Sequence, residues 1–455
     1  IRTLTITGSN RDLALTKRGD DWFITKPIEW PANPNAVSRI INDLQFLEHE
    51  TSFNVSDLAK NGQSLADYGL DHPKLTVAFT SGDPNGTQST LPTLLRLGDT
   101  TKDGIRLYLL SPDGERVHVV SQSLARSLSL SFEELRADTI FTIPVFEARS
   151  LNLQTAAPAN LRIRLRRDAS RWTFEAPFTA RANKVATELA INSLNALRVK
   201  SFITPNPPAS LPADKPALRI SLEGNNRRET LLLGDPVAPA NSSPPTGTAV
   251  SPDIEYYAQL DGRAALFTVS LPGKLKETLD QAQDKLRESR IIEVEPRAVT
   301  ALTLTAPGQP PLTRQRLETG EQSAEMAAWQ IVLRGDGVRG PQTVPADRAA
   351  VARLLEKLSL LSAKTFQSDA PRDADLETWG FNRPEREITL TVPGAQPITL
   401  QIGLATPRDA VAYARLAGSS SVYSVDAEIL RDTPVVARAW RDRLLRELPA
   451  GARIT

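Results

Sequence analysis

The chain has 455 residues, 40% of them hydrophobic and 24% charged, a composition typical of folded domains rather than disordered chains. Its 54 lysines and arginines balance 53 aspartates and glutamates, so its net charge gives no general attraction to nucleic acid or to an anionic membrane. With no cysteine and three histidines, disulfides and thiolate chemistry are excluded and little material remains for histidine catalysis.

The predicted elements of the first third form an ordered series. Trp22 opens a short β-like run, and an amphipathic helix with apolar residues at helical spacing follows, from Val37 to Leu47. A turn that ends at Pro73 releases the alternating strand LTVAFT. The later landmarks are Leu97-Gly98-Asp99, a strand with Tyr108, the strand RVHVV, and a helix-like stretch ending at Leu135-Arg136.

The same series recurs twice, at intervals of about 150 residues. Trp172 and Trp329 open the equivalent runs. The middle helix is predicted to bury Val185, Leu189 and Leu197 on one face, and the third helix its apolar residues from Val351 to Leu361. The landmarks that recur in the same order are the predicted helix-start residues Asn35, Asn183 and Asp347, the turns Tyr68–Pro73, Leu211–Pro216 and Trp379–Pro384, the glycines Gly98, Gly234 and Gly403, the tyrosines Tyr108, Tyr257 and Tyr413, and the closing pairs Leu135-Arg136, Leu286-Arg287 and Trp440-Arg441.

The repeat predicts three tandem α+β modules at 1–144, 145–291 and 292–455. Six or seven mostly alternating strands per copy indicate an antiparallel sheet, with helices packed on one face. The absence of long linkers at the junctions predicts an elongated, semi-rigid chain of modules. An extra Pro- and Ser-rich tract in the second copy, residues 236–252, is predicted to be a surface loop.

The ordered landmarks resemble those of the bacterial 4340 family of domains of unknown function, across all three copies. The best local matches are Trp22–Pro27, Tyr68–Pro73, Leu95–Asp99 and Tyr413–Val425. The resemblance implies an extracytoplasmic body behind one N-terminal membrane helix, encoded near ABC-type permeases and a gliding-motility-type component. It implies no catalytic residues. Because the chain begins at Ile1 rather than Met, we expect that an N-terminal signal or anchor has been removed.

The histidines give no clear site. His72 follows Asp71, and a carboxylate-polarised imidazole is a known general base, but Lys215 and Arg383 stand there in the other copies, which favours a solvated turn. His49 is expected at a helix end and His118 on a strand. No metal-ligand spacing joins them.

Two further patterns have a functional and a plain interpretation. Asp369, Asp373, Asp375 and Glu377 could coordinate calcium, but they lack EF-hand spacing and are interpreted as solvated loop charges. Residues 335–340 match a dinucleotide-binding glycine pattern, and 334–336 an adhesion tripeptide. Because Pro341 follows directly where a helix would be needed, an ordinary loop is favoured.

The tryptophans could form a sugar-stacking platform or anchor the core. Trp22, Trp172 and Trp329 open equivalent strands, which favours the core. Trp30 has no counterpart in the other copies and is predicted to be the surface aromatic.

No catalytic, cofactor or metal residue is assigned, and no small-molecule substrate is predicted. The first hypothesis is a non-enzymatic, membrane-tethered accessory protein of the periplasm or cell envelope that binds proteins of an ABC-type transport system, using exposed sheet edges for strand addition. The second is a structural or adhesive surface protein that self-associates or binds glycan. The third is an enzyme with paired carboxylates in a cleft between modules.

Overall fold

A computed structural model describes residues 1–9, 11–82, 91–203, 211–237, 252–317, 328–333, 340–406, 408 and 410–443. It contains three antiparallel sheets of nine strands each, one per predicted copy, in an α+β arrangement. The strands fall at 3–121, 150–271 and 301–426, each inside one predicted range. The boundary residues themselves stay a prediction.

The elements of the first copy are β1 Thr3–Gly8, β2 Arg11–Arg18, β3 Asp21–Lys26, β4 Trp30–Pro31, α1 Pro34–Gln45, β5 His49–Asn54, α2 Val55–Leu58, β6 Leu75–Thr80, β7 Thr93–Thr100, β8 Arg106–Leu110, β9 Arg116–Ser121, α3 Ser123–Leu128 and α4 Phe132–Leu135. Short 3₁₀ helices lie at Ala59–Asn61 and Leu65–Tyr68.

The elements of the second copy are β10 Ser150–Thr155, β11 Arg162–Asp168, β12 Arg171–Ala176, β13 Ala180–Arg181, α5 Lys184–Asn195, β14 Val199–Phe202, β15 Leu218–Glu223, β16 Arg228–Pro236, β17 Ile254–Leu260, β18 Leu266–Leu271, α6 Gly273–Asp280 and α7 Ala282–Lys285. The predicted surface loop of this copy lies mostly outside the described residues.

The elements of the third copy are β19 Ala301–Thr305, β20 Leu312–Arg316, β21 Trp329–Leu333, β22 Gln342–Pro345, α8 Arg348–Ser359, β23 Thr365–Ser368, α9 Asp373–Thr378, β24 Arg386–Thr391, β25 Ile398–Thr406, β26 Val411–Leu416, β27 Val422–Asp426 and α10 Glu428–Asp432. Short 3₁₀ helices lie at Pro296–Ala298 and Ala437–Trp440.

The strand order is the same in each sheet. In the first it is β4-β3-β2-β1-β6-β7-β8-β9-β5, and the other two sheets repeat it. The prediction of six or seven strands per copy was too low, because the two edge strands carry little signal. β4 has two residues, and β5 (HETSFN) has no alternation of apolar and polar residues.

The chain divides into two compact units, residues 1–168 with 188–280, and residues 169–187 with 281–455. In the first unit, α1, α3 and α4 pack with the buried side chains of β1, β2, β6 and β7 in one apolar core. The buried residues of α1 include Val37 and Ile40, as its spacing predicts. Its N-cap is Asn33, whose side chain accepts hydrogen bonds from the backbone of Asn35 and Ala36, so Asn35 was predicted two residues too late.

The middle helix buries a different face from the predicted one. Val185 and Leu189 are 76% and 54% exposed, and of the three predicted residues Leu197, which lies just after the helix, is buried. The buried positions of α5 are Thr187, Ala190, Ile191 and Leu194, which also share one helical face. The prediction failed because the helix carries apolar residues on two faces, and the pattern alone favoured the wrong one.

Two recurring landmarks are explained by one close contact. A Cβ atom on Gly98 would lie 2.1 Å from the carbonyl oxygen of Tyr68, and one on Gly403 would lie 2.1 Å from that of Trp379. The aromatic turn and the following Leu-Gly strand therefore pack with their backbones in contact, which leaves no space for a side chain at the glycine.

The core of the third copy contains an arginine. Arg314 pairs with Leu302, as Leu15 pairs with Leu4 in the first copy, so an arginine replaces a core leucine. It is fully buried, and its guanidinium carbon lies 3.8 Å from the centre of the Trp440 ring. Among the described residues none of its three side-chain nitrogens has a hydrogen-bond partner, and burial lowers its pKa to about 9.

Candidate functional site

Each copy closes on the same backbone arrangement. We call the stretch that begins at the closing pair of each copy its closing segment, and α1, α5 and α8 the main helices. The backbone amide of the residue before each main helix donates to a carbonyl of the closing segment of the same copy. These bonds run from Asn33 to Leu135 (2.7 Å), from Asn183 to Leu286 (2.8 Å) and from Asp347 to Trp440 (2.8 Å). Isolated bridges add Ala32 to Arg136, Ala182 to Arg287 and Ala346 to Arg441. The closing arginine thus occupies an equivalent position in all three copies.

At the first junction this segment reaches the edge of the second sheet. The Val199 amide donates to the Asp138 carbonyl at 2.8 Å, and Thr139 forms a bridge with Arg198. The Arg136 guanidinium donates to the carbonyls of Val199 (3.3 Å) and Lys200 (3.5 Å). An extended segment of one copy therefore satisfies outward-facing backbone groups of β14.

The second junction repeats this backbone contact and adds an ion pair between Arg287 and Asp369. The Ala363 amide donates to the Ser289 carbonyl at 2.8 Å, beside the start of β23. Arg287 donates to both carboxylate oxygens of Asp369, at 3.0 and 2.5 Å. Its guanidinium carbon lies 4.1 Å from the ring centre of Phe366 and 4.4 Å from that of Phe178. Arg287 therefore stabilises this junction through its ion pair with Asp369 and through its contacts with two aromatic rings.

Trp30 belongs to the first junction, and its prediction as a surface aromatic was wrong. The side chain is fully buried, with its ring centre 5.0 Å from Phe202 and 5.4 Å from Phe267. Its Nε1 donates to the Ala137 carbonyl at 2.8 Å. Ala180 stands at the equivalent position of the second copy, and at the second junction Phe178 contacts Arg287 instead.

The equivalent edge in the first copy is β5, and its chemistry differs. Phe202 pairs with Phe267 in the second sheet and Phe366 with Tyr423 in the third. In the first sheet the same register pairs Ser52 with His118. The aromatic pair that receives an arginine in the later copies is therefore absent from these two positions.

The structure brings two histidines together on this edge. The rings of His49 and His118 lie 4.9 Å apart, although no sequence spacing links them. Partial burial, together with His49 and Arg116, lowers the pKa of His118, and its Nδ1 is buried without a hydrogen-bond partner. The prediction that His49 ends a helix was wrong. The helix α1 ends at Gln45, and His49 is the first residue of β5.

No bridge from another described segment reaches β5. The isolated bridges in the described part of the chain join closing segments to the edges of the second and third sheets, or to the main-helix start of their own copy. His49, Glu50, Thr51 and Asn54 are exposed. A closing segment thus bridges the residues just before β14 and just before β23, at Arg198 and Ser362, whereas the edge strand β5 is open to every other described segment.

The other candidate site residues named from the sequence are exposed, paired with arginines, or part of a short helix. The His72 side chain is 96% exposed in its turn, with Nε2 4.0 Å from Asp71. Hydrogen bonds from Arg372 lower the pKa of Asp375 to about 2. Asp369 is bound by Arg287, while Asp373 and Glu377 lie in α9. The glycine pattern at 335–340 and the tripeptide at 334–336 lie outside the described residues, except for Gly340.

The repeated tryptophans occupy core positions, as predicted. Trp172 and Trp329 are buried, and Trp22 is partly buried against the core of the first copy. Within the described ranges, no three or more histidine, aspartate or glutamate side chains are grouped so that they could hold a metal ion. The same ranges contain no helix with the length and hydropathy needed to span a bilayer.

A family model described as "Domain of unknown function (DUF4340)" matches residues 22–216 and 338–452, well over half of the chain. A comparison with curated proteins found no match. A comparison with solved structures found none either.

Proposed function

Because this chain belongs to the DUF4340 family of unknown function, we propose that it is a non-enzymatic, extracytoplasmic scaffold that binds partner proteins of an ABC-type transport system. The association with transport proteins follows from what the family resemblance implies. The way in which a partner binds follows from the geometry of the sheet edges.

The open edge strand β5 is the observation that carries the proposal. In the second sheet, the Asp138 carbonyl of an extended segment accepts a hydrogen bond from the Val199 amide at the start of β14, and the Arg136 side chain of that segment donates to the Val199 carbonyl. The third sheet receives an equivalent segment beside β23. The occupant we propose for β5 is therefore an extended segment of a partner protein, added to the sheet edge by main-chain hydrogen bonds.

The side chains around β5 favour a partner that differs from the chain's own closing segments. Ser52 and His118 replace the aromatic pair, and Glu50 is held by the Nε of Arg106 at 2.5 Å. A closing segment with an arginine would lose its cation–π contacts here. This difference disfavours the chain's own arginine segments as occupants of β5.

The test is recovery of partners by the full-length, natively anchored protein in mild detergent, with co-eluting chains identified by mass. We expect an ABC-type permease to co-elute with the unmodified protein. Thr51→Lys places a charge on the exposed edge strand, where it disfavours strand addition, and should abolish that recovery. The matched control is Ser201→Lys, at the same register on β14, which should leave recovery unchanged.

Two results would contradict the proposal. One is recovery of the chain alone, which would favour the self-associating or adhesive role. The other is equal loss of the permease with both lysine variants, because edge addition at β5 would then not explain the binding.

A further inference from the structure

A cavity of about 870 Å³ opens beside the first junction, within the first compact unit. Its volume lies in the range of small-molecule sites, roughly 300–1,000 Å³. Apolar side chains from both copies line it, namely Phe23, Pro27, Ile28, Ile203, Leu211 and Leu266. The charged groups on its wall are Arg18, Glu29 and Arg263.

Arg136 and Arg287 donate side-chain hydrogen bonds to acceptors in the protein, whereas the Arg263 side chain has none among the described residues. Its guanidinium carbon lies 5.4 Å from the ring centre of the buried Trp30. It is half-buried, and burial lowers its pKa, with Glu29 opposing that effect and Arg18 adding to it. No side-chain hydrogen bond or ion pair joins it to any other described residue. Its N–H donors are thus partly removed from water without an acceptor in return.

The charges on the wall do not balance. Arg18 forms an ion pair with Glu29 at 2.8 Å, and Glu29 is the carboxylate among the described lining residues. Arg263 has no carboxylate partner of its own among the described residues, and it lies beside apolar side chains of the cavity wall. A singly charged anion would balance that charge, whereas a dianion would leave an excess of negative charge beside Glu29.

We propose that this cavity binds a small amphipathic carboxylic acid, whose carboxylate accepts hydrogen bonds from Arg263 and whose apolar body fills the space between the two copies. The planar fork of a guanidinium matches a carboxylate in two parallel hydrogen bonds. The apolar lining provides the favourable free energy for the body of the ligand. This inference is independent of the partner-binding role of β5.

The test uses 11-(dansylamino)undecanoic acid, whose fluorescence rises on transfer to an apolar site, titrated into the 455-residue chain. The corresponding uncharged alcohol is the matched ligand. We expect saturable binding of the acid, and binding of the alcohol weaker by about tenfold or more, the factor that one charge-assisted hydrogen-bond pair supplies.

Three variants separate the carboxylate contact from non-specific adsorption. Arg263→Gln keeps a planar group over Trp30 and should weaken the acid about tenfold while leaving the alcohol unchanged. Glu29→Gln removes the lining carboxylate and should strengthen binding of the acid several-fold. Arg227→Gln alters an arginine that pairs with Glu147 outside the cavity, and should change neither ligand.

Non-saturable fluorescence, equal affinities for acid and alcohol, or an Arg263→Gln protein that keeps full affinity would each overturn the proposal. Ala265→Phe gives a second, independent check. It narrows the cavity without altering charge, and it should weaken the acid and the alcohol alike. Unchanged affinity in that variant would place the ligand elsewhere.

Discussion

Arg287 donates two hydrogen bonds to the carboxylate of Asp369, 82 residues further along the chain, and thereby clamps the closing segment of the second copy to the edge of the third sheet. The Arg287 side chain is 3% exposed and that of Asp369 is 23% exposed. The equivalent Arg136 pairs with Glu133, which is 56% exposed. Arg287 and Arg136 occupy equivalent positions, but the carboxylate that pairs with Arg287 is more buried than the one that pairs with Arg136.

This difference predicts unequal costs for the same substitution. Arg287→Ala leaves a partly buried carboxylate without its partner and should lower the free energy of unfolding by about 2–4 kcal/mol. Arg136→Ala leaves an exposed carboxylate and should cost less, about 1–2 kcal/mol, mainly through lost contacts with Phe202 and backbone carbonyls. Denaturant titration of both variants measures the difference, and an equal or reversed order would contradict the assignment.

Trp30 and Trp22 give a second paired prediction. Trp30→Ala removes a fully buried ring and its hydrogen bond to Ala137, and should destabilise the first compact unit by about 3–5 kcal/mol. Trp22→Ala removes a partly buried ring and should cost less. Thermal and denaturant unfolding of the two proteins distinguishes them. If Trp30→Ala proves nearly neutral, the ring does not hold the junction.

The contrast between these tryptophans shows what the sequence could and could not reveal. The repeat located each sheet, each main helix and each closing arginine, because those features depend on local periodicity and on landmarks in fixed order. The partner of Arg136 on β14 lies 63 residues away, and His49 and His118 meet only across a strand pair. Contacts of this kind depend on which sheet edges the fold brings together, and no local pattern encodes them.

One signal for the junctions was present in the aligned strands. The third position of RVHVV, ALFTV and SVYSV holds His118, Phe267 and Tyr423, and in the later copies this residue pairs with an aromatic residue of the edge strand, Phe202 or Phe366. An aromatic residue there, replaced by histidine in the first copy, distinguishes the two later edges from the first. The predicted face of α5 failed for the opposite reason, because two apolar stripes competed and only packing decided between them.

Arg314→Leu is predicted to stabilise the third copy. Leucine stands at the equivalent position of the first copy, and in the described part of the chain the guanidinium has no hydrogen-bond partner. Removing a buried, unpaired charge should raise the free energy of unfolding by about 1–4 kcal/mol. A lower free energy of unfolding in this variant would contradict the inference that buried Arg314 destabilises the fold.

The same arginine predicts a pH dependence of known sign. Because burial lowers its pKa to about 9 in the folded protein, the unfolded chain binds the proton more tightly. The destabilisation is fully present below pH 9 and decreases as the pH rises from there towards the usual arginine pKa. The stability gain of Arg314→Leu over the unmodified protein should therefore shrink above pH 9. A gain that stays constant up to pH 11 would contradict this.

Gly403 tests the contact between the aromatic turn and the Leu-Gly strand. In Gly403→Ala the new Cβ would meet the Trp379 carbonyl oxygen at 2.1 Å, so the turn must move, at a cost of about 1–3 kcal/mol. The matched control is Gly340→Ala, where a Cβ meets no atom of the described residues within 4 Å. Unfolding free energies of the two variants should differ clearly. Equal values would mean that the turn relaxes freely.

The open β5 edge is tested most directly by amide hydrogen exchange of the protein, alone and in complex with the permease it recovers. Main-chain pairing slows exchange of the amides that it satisfies. We expect new protection within His49–Asn54 of the complex, with β14 and β23 unchanged, since a closing segment already bridges the residues just before each of those strands. Protection that falls elsewhere while β5 exchanges at the same rate in both states would contradict partner binding by strand addition at this edge.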